Sequence, residues 1–245
     1  MRKRLVFGLI FAFAAATASA QTLKLPDNLV GFATPAGEAD FSEAEAREAY
    51  FPLAANFVTQ KTQSFCGVAS IVMVLNALGV PAPTTPEYQP YHTFTQDNLL
   101  DDTTDAVLPR AVLARQGMTL DQLGKLLALH PVALEVHHAA DASLDAFRAA
   151  ARDYLSAKDH FVLVNYLRKA IGQQIGGHIS PLAAYDAKAD RFLILDVARY
   201  KYPPVWVKAS DLFDAMNTTD AVNDNMTRGY ILVSKIGTPS AAPVQ

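Results

Sequence analysis

Only one cysteine, Cys66, occurs in the 245 residues, and this scarcity excludes any intramolecular disulfide. Positive charge is scarce too: 21 Lys and Arg stand against 24 Asp and Glu, for a formal charge of −3. Three of those basic residues are Arg2, Lys3 and Arg4, so the chain beyond them is more acidic still. That balance argues against a phosphate-backbone partner, and no nucleic acid is expected. Long apolar runs are also missing. The run from Leu5 to Ala15 is too short to cross a ~30 Å hydrocarbon core as a helix, and no later segment is longer, so stable membrane insertion is not expected. Nor does any solenoid-like repeat recur along the chain.

What is present begins with MRKRLVFGLIFAFAAATASA, a basic start, an apolar run and the small residues Ala18-Ser19-Ala20 ahead of Gln21. This pattern predicts a secretory signal peptide over residues 1–20 and hence export to the periplasm or beyond. Residues 21–236 are then expected to form a single domain, with 237–245 (GTPSAAPVQ) a disordered tail. Export normally delivers a chain to a disulfide-permissive compartment, where a lone thiol needs a reason. Two readings of Cys66 stand side by side, a buried inert residue or a working nucleophile.

The first half reads as helical. Ser42 with Glu45 predicts a capping box opening a helix through Glu45, Ala46 and Glu48 that ends before Pro52. GVASIVMVLNAL, residues 67–78, is apolar almost all round and predicts a helix enclosed by the core, stopped by Gly79 and Pro81, with Cys66 at its start. Residues 83–108 form a long surface excursion with a short helix near Asn98. Thr119 with Gln122 caps a helix through Leu129, and Ser143 opens an amphipathic one through Leu144, Phe147, Ala151, Tyr154 and Leu155. Short apolar strands follow at 132–136, 161–167, 178–185, 192–197, 205–207 and 229–234. Helices first and sequential strands afterwards predict an α+β fold, a helical N-terminal half that carries the nucleophile on a buried helix and a C-terminal half built as an antiparallel sheet.

At a helix start the unpaired N–H groups and the macrodipole favour an anion, so the position of Cys66 suits a thiolate. Gly67 beside it leaves room for a substrate backbone. The segments 178–185 and 192–197 make a hairpin; pairing Tyr185 with Arg191 sets Asp196 one diagonal step from His178 on the same face. A carboxylate inside FLILDV needs a partner, because an unpaired buried charge is costly. The expected set is therefore Cys66 as nucleophile, His178 as base and Asp196 as its orienter. Gln60, six residues before Cys66, has the spacing of the glutamine that supplies an oxyanion donor in papain-like cysteine peptidases, and the order Cys, His, carboxylate is theirs too. No metal site is expected: His137 and His138 are consecutive on a strand and point to opposite faces, with no Cys or carboxylate cluster nearby.

Three stretches carry a closer likeness: QKTQSFCGVASIVMVLNALGV, then FVLVNYLRKAIGQQIGGHISPLAAYDAKADRFLILDVARYKYPPVWVKASDLFDAMNT, then TRGYILVSK. They resemble the phytochelatin synthase family, particularly its short bacterial members, over most of residues 50–235. The resemblance implies a papain-like fold and an enzyme whose Cys66 removes glycine from glutathione, leaving a γ-glutamylcysteinyl thioester that passes to a second glutathione or to water. It implies no required cofactor, with cadmium or zinc entering as glutathione–thiolate complexes. Arg168 in NYLRK and Arg228 in TRGY stand in these motifs and are expected to bind the substrate carboxylates, a surface ion-pair role being the alternative. Plant-type members carry a cysteine-rich C-terminal extension; this sequence ends soon after the likeness does, so metal sensing of that kind is not expected and hydrolysis is expected to weigh more. Two other readings remain, a non-catalytic binder of thiol peptides or metal thiolates and a papain-like endopeptidase. A homodimer is only the base-rate expectation for such a chain.

Overall fold

Six strand-forming runs in the second half of the chain, joined by one two-residue strand near the N-terminus, assemble into one seven-stranded sheet, and the helices of the first half supply one of its covers. The computed structural model describes residues 22–237, so the leader and most of the tail fall outside the described residues. In chain order the elements are β1 (Val30–Gly31), α1 (Pro35–Glu43), α2 (Tyr50–Ala55), α3 (Cys66–Ala77), α4 (Asp102–Val107), α5 (Arg110–Gln116), α6 (Leu120–Leu127), β2 (Val132–His138), α7 (Leu144–Ser156), β3 (His160–Leu167), β4 (Gly177–Asp186), β5 (Arg191–Ile194), β6 (Val205–Lys208), α8 (Ala209–Met216) and β7 (Gly229–Lys235). The sheet order is β1-β6-β5-β4-β3-β7-β2, every neighbouring pair antiparallel. The α+β architecture expected from the sequence is the one observed. Among the described residues no helix is long and apolar enough to cross a membrane.

Helices cover both faces of the sheet. A side chain added at Gly124 of α6 would meet Val136 and Ile231. Phe147 of α7 instead packs on Tyr230 and Phe192, and adjacent residues of β7 point to opposite faces. The first layer also holds α3, whose residues from Cys66 to Leu75 are all buried. Enclosure on all sides is why its sequence shows no polar stripe. The expected caps of α6 and α7 are in place: Thr119 and Gln122 bond reciprocally, and Ser143 Oγ accepts from Ala146 N–H.

Several expectations fail locally. Ser42 does not open a helix. It sits in the last turn of α1, its hydroxyl donating back to Glu38 O, while Thr34 and Pro35 begin that helix. Ala46 bridges Tyr185 in extended backbone, and Pro52 lies inside α2, not beyond a helix end. Asn98 shapes a turn with Thr95; the helix begins instead at Asp102, capped by Asp101.

One register error matters for the site. At the turn, β4 and β5 pair as Asp186–Arg191 and Tyr185–Phe192, one residue away from expectation. A bulge between Leu182 and Ala184 then restores the expected alignment as Leu182–Ile194. The extra residue shifts the side-chain alternation by one, which is how a hairpin with a slipped turn still brings Asp196 beside His178.

Candidate functional site

The nucleophile position is fixed by two elements at once. Cys66 is the first residue of α3, where no residue of the helix accepts its backbone N–H. Ser70, one turn on, donates to Cys66 O at 2.8 Å and lies 3.3 Å from Ile179 O, tying the helix start to β4 next to His178. The sulfur lines a cleft of about 330 Å³ shared with Asn165, His178, Met118 and Arg228. The space beside Gly67 is not left for a substrate, as the sequence reading has it. It is filled by Met118, whose thioether would overlap any side chain placed there.

His178 is buried near the start of β4 with its Nε2 2.9 Å from Asp196 Oδ1 and 2.9 Å from Ser180 Oγ. That nitrogen is committed, which leaves Nδ1 to face Cys66, with which His178 shares the cleft and whose thiol pKa it lowers. Burial alone would raise the thiol of Cys66, but the hydrogen bond and positive charge of His178, helped by the backbone at Ile179 and Gly67, bring it below its ordinary value. Burial, the largest single influence, would likewise strip the proton from His178, and Arg168 acts in the same direction; the charge and hydrogen bond of Asp196 together with Cys66 outweigh both, and the imidazole ends above its ordinary value. A thiol lowered and an imidazole raised describe a thiolate–imidazolium pair.

Asp196 does not lie in β5, which ends at Ile194. Leu195 N–H still reaches Pro181 O, but Val197 N–H turns to Ser180 Oγ and Ala198 N–H bonds back to Asp196 Oδ1. Leaving the strand in this Asx turn lets one carboxylate meet both His178 and Arg168. Burial would raise its pKa, yet His178 and Arg168 hold it far below the usual carboxylate range.

Arg168, expected at the substrate, is turned to other work. It is 2% exposed, its Nη2 donating to Asp196 Oδ1 at 2.8 Å and its Nη1 lying 2.8 Å from Oδ2. Both arms of its fork engage protein groups in this structure, Asp196 and Gln173, where the sequence reading expects a substrate carboxylate. Arg228 is placed differently. It lines the cleft beside Cys66, with Nη1 donating to Thr219 O at 2.7 Å and Nη2 3.5 Å from Asp220 Oδ1. Its buried Nε has no hydrogen-bond partner among the described residues, and the adjoining Gly177 leaves that edge uncovered.

Gln60 is buried and joined to the Asp196 segment through its backbone N–H on Val197 O, 2.9 Å. Its side-chain nitrogen donates to Thr62 O at 2.7 Å and to Tyr200 Oη at 3.1 Å, so neither amide hydrogen is aimed at Cys66 in this arrangement. Gln60 lines a second cleft of about 190 Å³ that shares Gln63, Gly177 and His178 with the first and adds Tyr200 and Lys201.

Ser180, Asp220 and Asn165 were not singled out from sequence. Ser180 carried a signal, a hydroxyl two residues from His178 in an otherwise apolar strand; Asp220 and Asn165 had none without the fold. His137 stacks on Tyr230, while His138 bonds Asp121 and Thr227 O. No group of three His, Cys, Asp or Glu side chains among the described residues is placed to hold a metal ion.

With this geometry in hand, comparison with known proteins is specific. The family model described as phytochelatin synthase matches residues 20–230. A glutathione gamma-glutamylcysteinyltransferase 1 of Triticum aestivum is 36% identical over 209 residues, which is 84% of this chain and 40% of that protein. Glutathione gamma-glutamylcysteinyltransferase 3 of Lotus japonicus is 34% identical over 210 residues, 84% of this chain and 42% of its own. The Schizosaccharomyces pombe protein of that name is 29% identical over 219 residues, covering 88% and 51%. The chain thus spans two-fifths to one-half of the length of these relatives.

Proposed function

Because the chain belongs to the phytochelatin synthase family, we propose that it is a cysteine-dependent acyl transferase that cleaves glutathione at its cysteinyl–glycine bond. The observation that carries the proposal is the juxtaposition of Cys66 and His178 in the lining of one cleft, with the far nitrogen of His178 held by Asp196. The names of the relatives supply the substrate class.

The chemistry runs on this chain's own groups. The thiolate of Cys66 attacks the cysteinyl carbonyl of glutathione, and the carbonyl π electrons move to oxygen. The Cys66 backbone N–H donates to that oxyanion, and Gln60 joins it once the exposed Tyr200 gives up its amide hydrogen. As the carbon–nitrogen bond breaks, His178 gives its Nδ1 proton to the departing glycine amine. A γ-glutamylcysteinyl thioester remains on Cys66. Water or the α-amino group of a second glutathione then attacks it, His178 takes the proton, and the thiolate leaves. In the cleft, Arg228 and Asp220 offer one positive and one negative group to a zwitterionic γ-glutamyl head.

The reading requires no resident cofactor; cadmium or zinc enters as part of a glutathione–thiolate substrate. Export rests on the pattern of residues 1–20. In the test, the protein is incubated with glutathione, and free glycine and the longer γ-glutamylcysteine peptide are measured with and without cadmium. Glycine release is expected in both conditions, with a larger share of peptide when metal is added. No glycine in either condition would favour a thiol-peptide binder; cleavage of ordinary peptide chains in preference to glutathione would favour an endopeptidase.

A further inference from the structure

Asp196 is not a lone orienter, and the group that accompanies it defines what His178 experiences. Arg168 follows β3 at the start of a short 3-10 turn, Arg168–Ile171, that ends at Gly172 with a φ of 79°. That left-handed residue returns the chain so that Gln173 N–H bonds Arg168 O at 3.0 Å, while Arg168 N–H bonds Gly176 O at 3.0 Å. The Gln173 side chain accepts from Nη1, and the guanidinium carbon lies 5.2 Å from the centre of the Tyr202 ring. The fork is held from behind and spans both oxygens of Asp196 in front.

We propose that Arg168 is a positioning residue: it fixes the Asp196 carboxylate and offsets part of its charge, so that His178 meets a rigid, tempered hydrogen-bond acceptor in place of a bare anion. This rests on the assignment of Cys66 and His178 made above. The physical reason is that a buried carboxylate alone would hold the imidazolium too tightly, and a strongly held proton is a poor one to hand to a leaving amine. A compensating guanidinium keeps the direction of the bond to Nε2 while releasing that grip. Among the described residues, the charged or titratable groups that face the pair are His178 on β4, Cys66 on α3, Tyr166 on β3, and Lys201 and Tyr202 ahead of β6. Beyond the His178 imidazolium itself, Lys201 is the other positive group among them, and burial, with Arg168 beside it, lowers its hold on its own proton.

The test uses the full chain without glutathione, following the rate of Cys66 alkylation by iodoacetamide against pH, and then the steady-state kinetics of glycine release. Removing a positive charge raises the pKa of every neighbour. In Arg168→Gln both limbs of the alkylation profile should therefore move to higher pH by about half a unit or more. Arg168→Lys keeps the charge but loses the fork, so the limbs should stay near wild type while kcat falls. The double change Asp196→Asn with Arg168→Gln leaves an uncharged orienter with no stranded cation and should be more active than Asp196→Asn alone, which leaves a buried cation unbalanced. Limbs unmoved in Arg168→Gln with a raised KM for glutathione would return Arg168 to the substrate and overturn the proposal. Should Arg168→Gln fail to fold, a double variant no better than Asp196→Asn would overturn it equally. Because alkylation is read on the free enzyme, a wrong substrate assignment would leave this result standing.

Discussion

Replacing Cys66 with alanine is expected to abolish glycine release from glutathione, a loss of at least about 10⁴-fold, while leaving the fold intact. The loss is that large because no second thiol is available: Cys66 is the only cysteine, and Ser70, the hydroxyl on α3, bonds back to Cys66 O. The fold should survive because the thiol fills little volume at the helix start, and the packing of α3 rests on Val68 through Leu75. Mass spectrometry of glutathione-treated protein gives the matching signature, a γ-glutamylcysteinyl adduct on the wild-type chain and none on the variant. Glycine release that persists in Cys66→Ala would remove the sulfur from the mechanism.

The second large effect belongs to Asp196, where stability and activity fall together. Asp196→Ala leaves Arg168, 2% exposed, facing an empty position, and breaking such a buried pair typically costs about 3–5 kcal/mol. Thermal unfolding should register that loss. Asp196→Asn keeps the shape and most hydrogen bonds, so it should fold, yet it should lose about 10²–10⁴-fold in rate because Nε2 no longer faces an anion balanced by Arg168. The two variants separate the roles. If Asp196→Ala were as stable as wild type, the buried pair would not be the anchor described here; if Asp196→Asn were fully active, Asp196 would have no part in holding His178.

Much of the frame was readable because the governing interactions are local. The start of α3 at Cys66 and its stop at Gly79 follow from composition, and the caps at Thr119 and Ser143 follow from hydrogen bonds made within one turn. Where a local signal misled, a competing local bond explains it. Ser42 and Glu45 have the spacing of a capping box, but Thr34 followed by Pro35 begins the helix earlier, and Ser42 spends its hydroxyl on Glu38 O. Helix α8 escaped notice because its first residue follows Lys208, which offers no capping side chain. β1 is too short to show alternation and exists only because β6 pairs with it.

The site divides along the same line. His178 and Asp196 were brought together by strand alternation, correctly in outcome but through a turn register one residue off and a bulge that no residue pattern announced. Arg168 was picked out by its motif, but its contact with Asp196 was not foreseen. The two side chains are 28 residues apart and meet only because Asp196 leaves its strand and Arg168 enters a 3-10 turn. The contact of Gln60 with Tyr200, 140 residues away, is of the same kind and lies beyond any spacing argument.

The most direct measurement is the ionisation of the Cys66 thiol, followed through its alkylation rate from acid to alkaline pH in the wild type and in His178→Ala. A free cysteine ionises near pH 8.5. In the wild type, the thiolate held by His178 should already react well below that value. Removing the imidazole leaves burial as the dominant influence, so in His178→Ala the profile should move above it. An ordinary alkaline profile in the wild type, unchanged by loss of His178, would contradict the ion pair from which the rest follows.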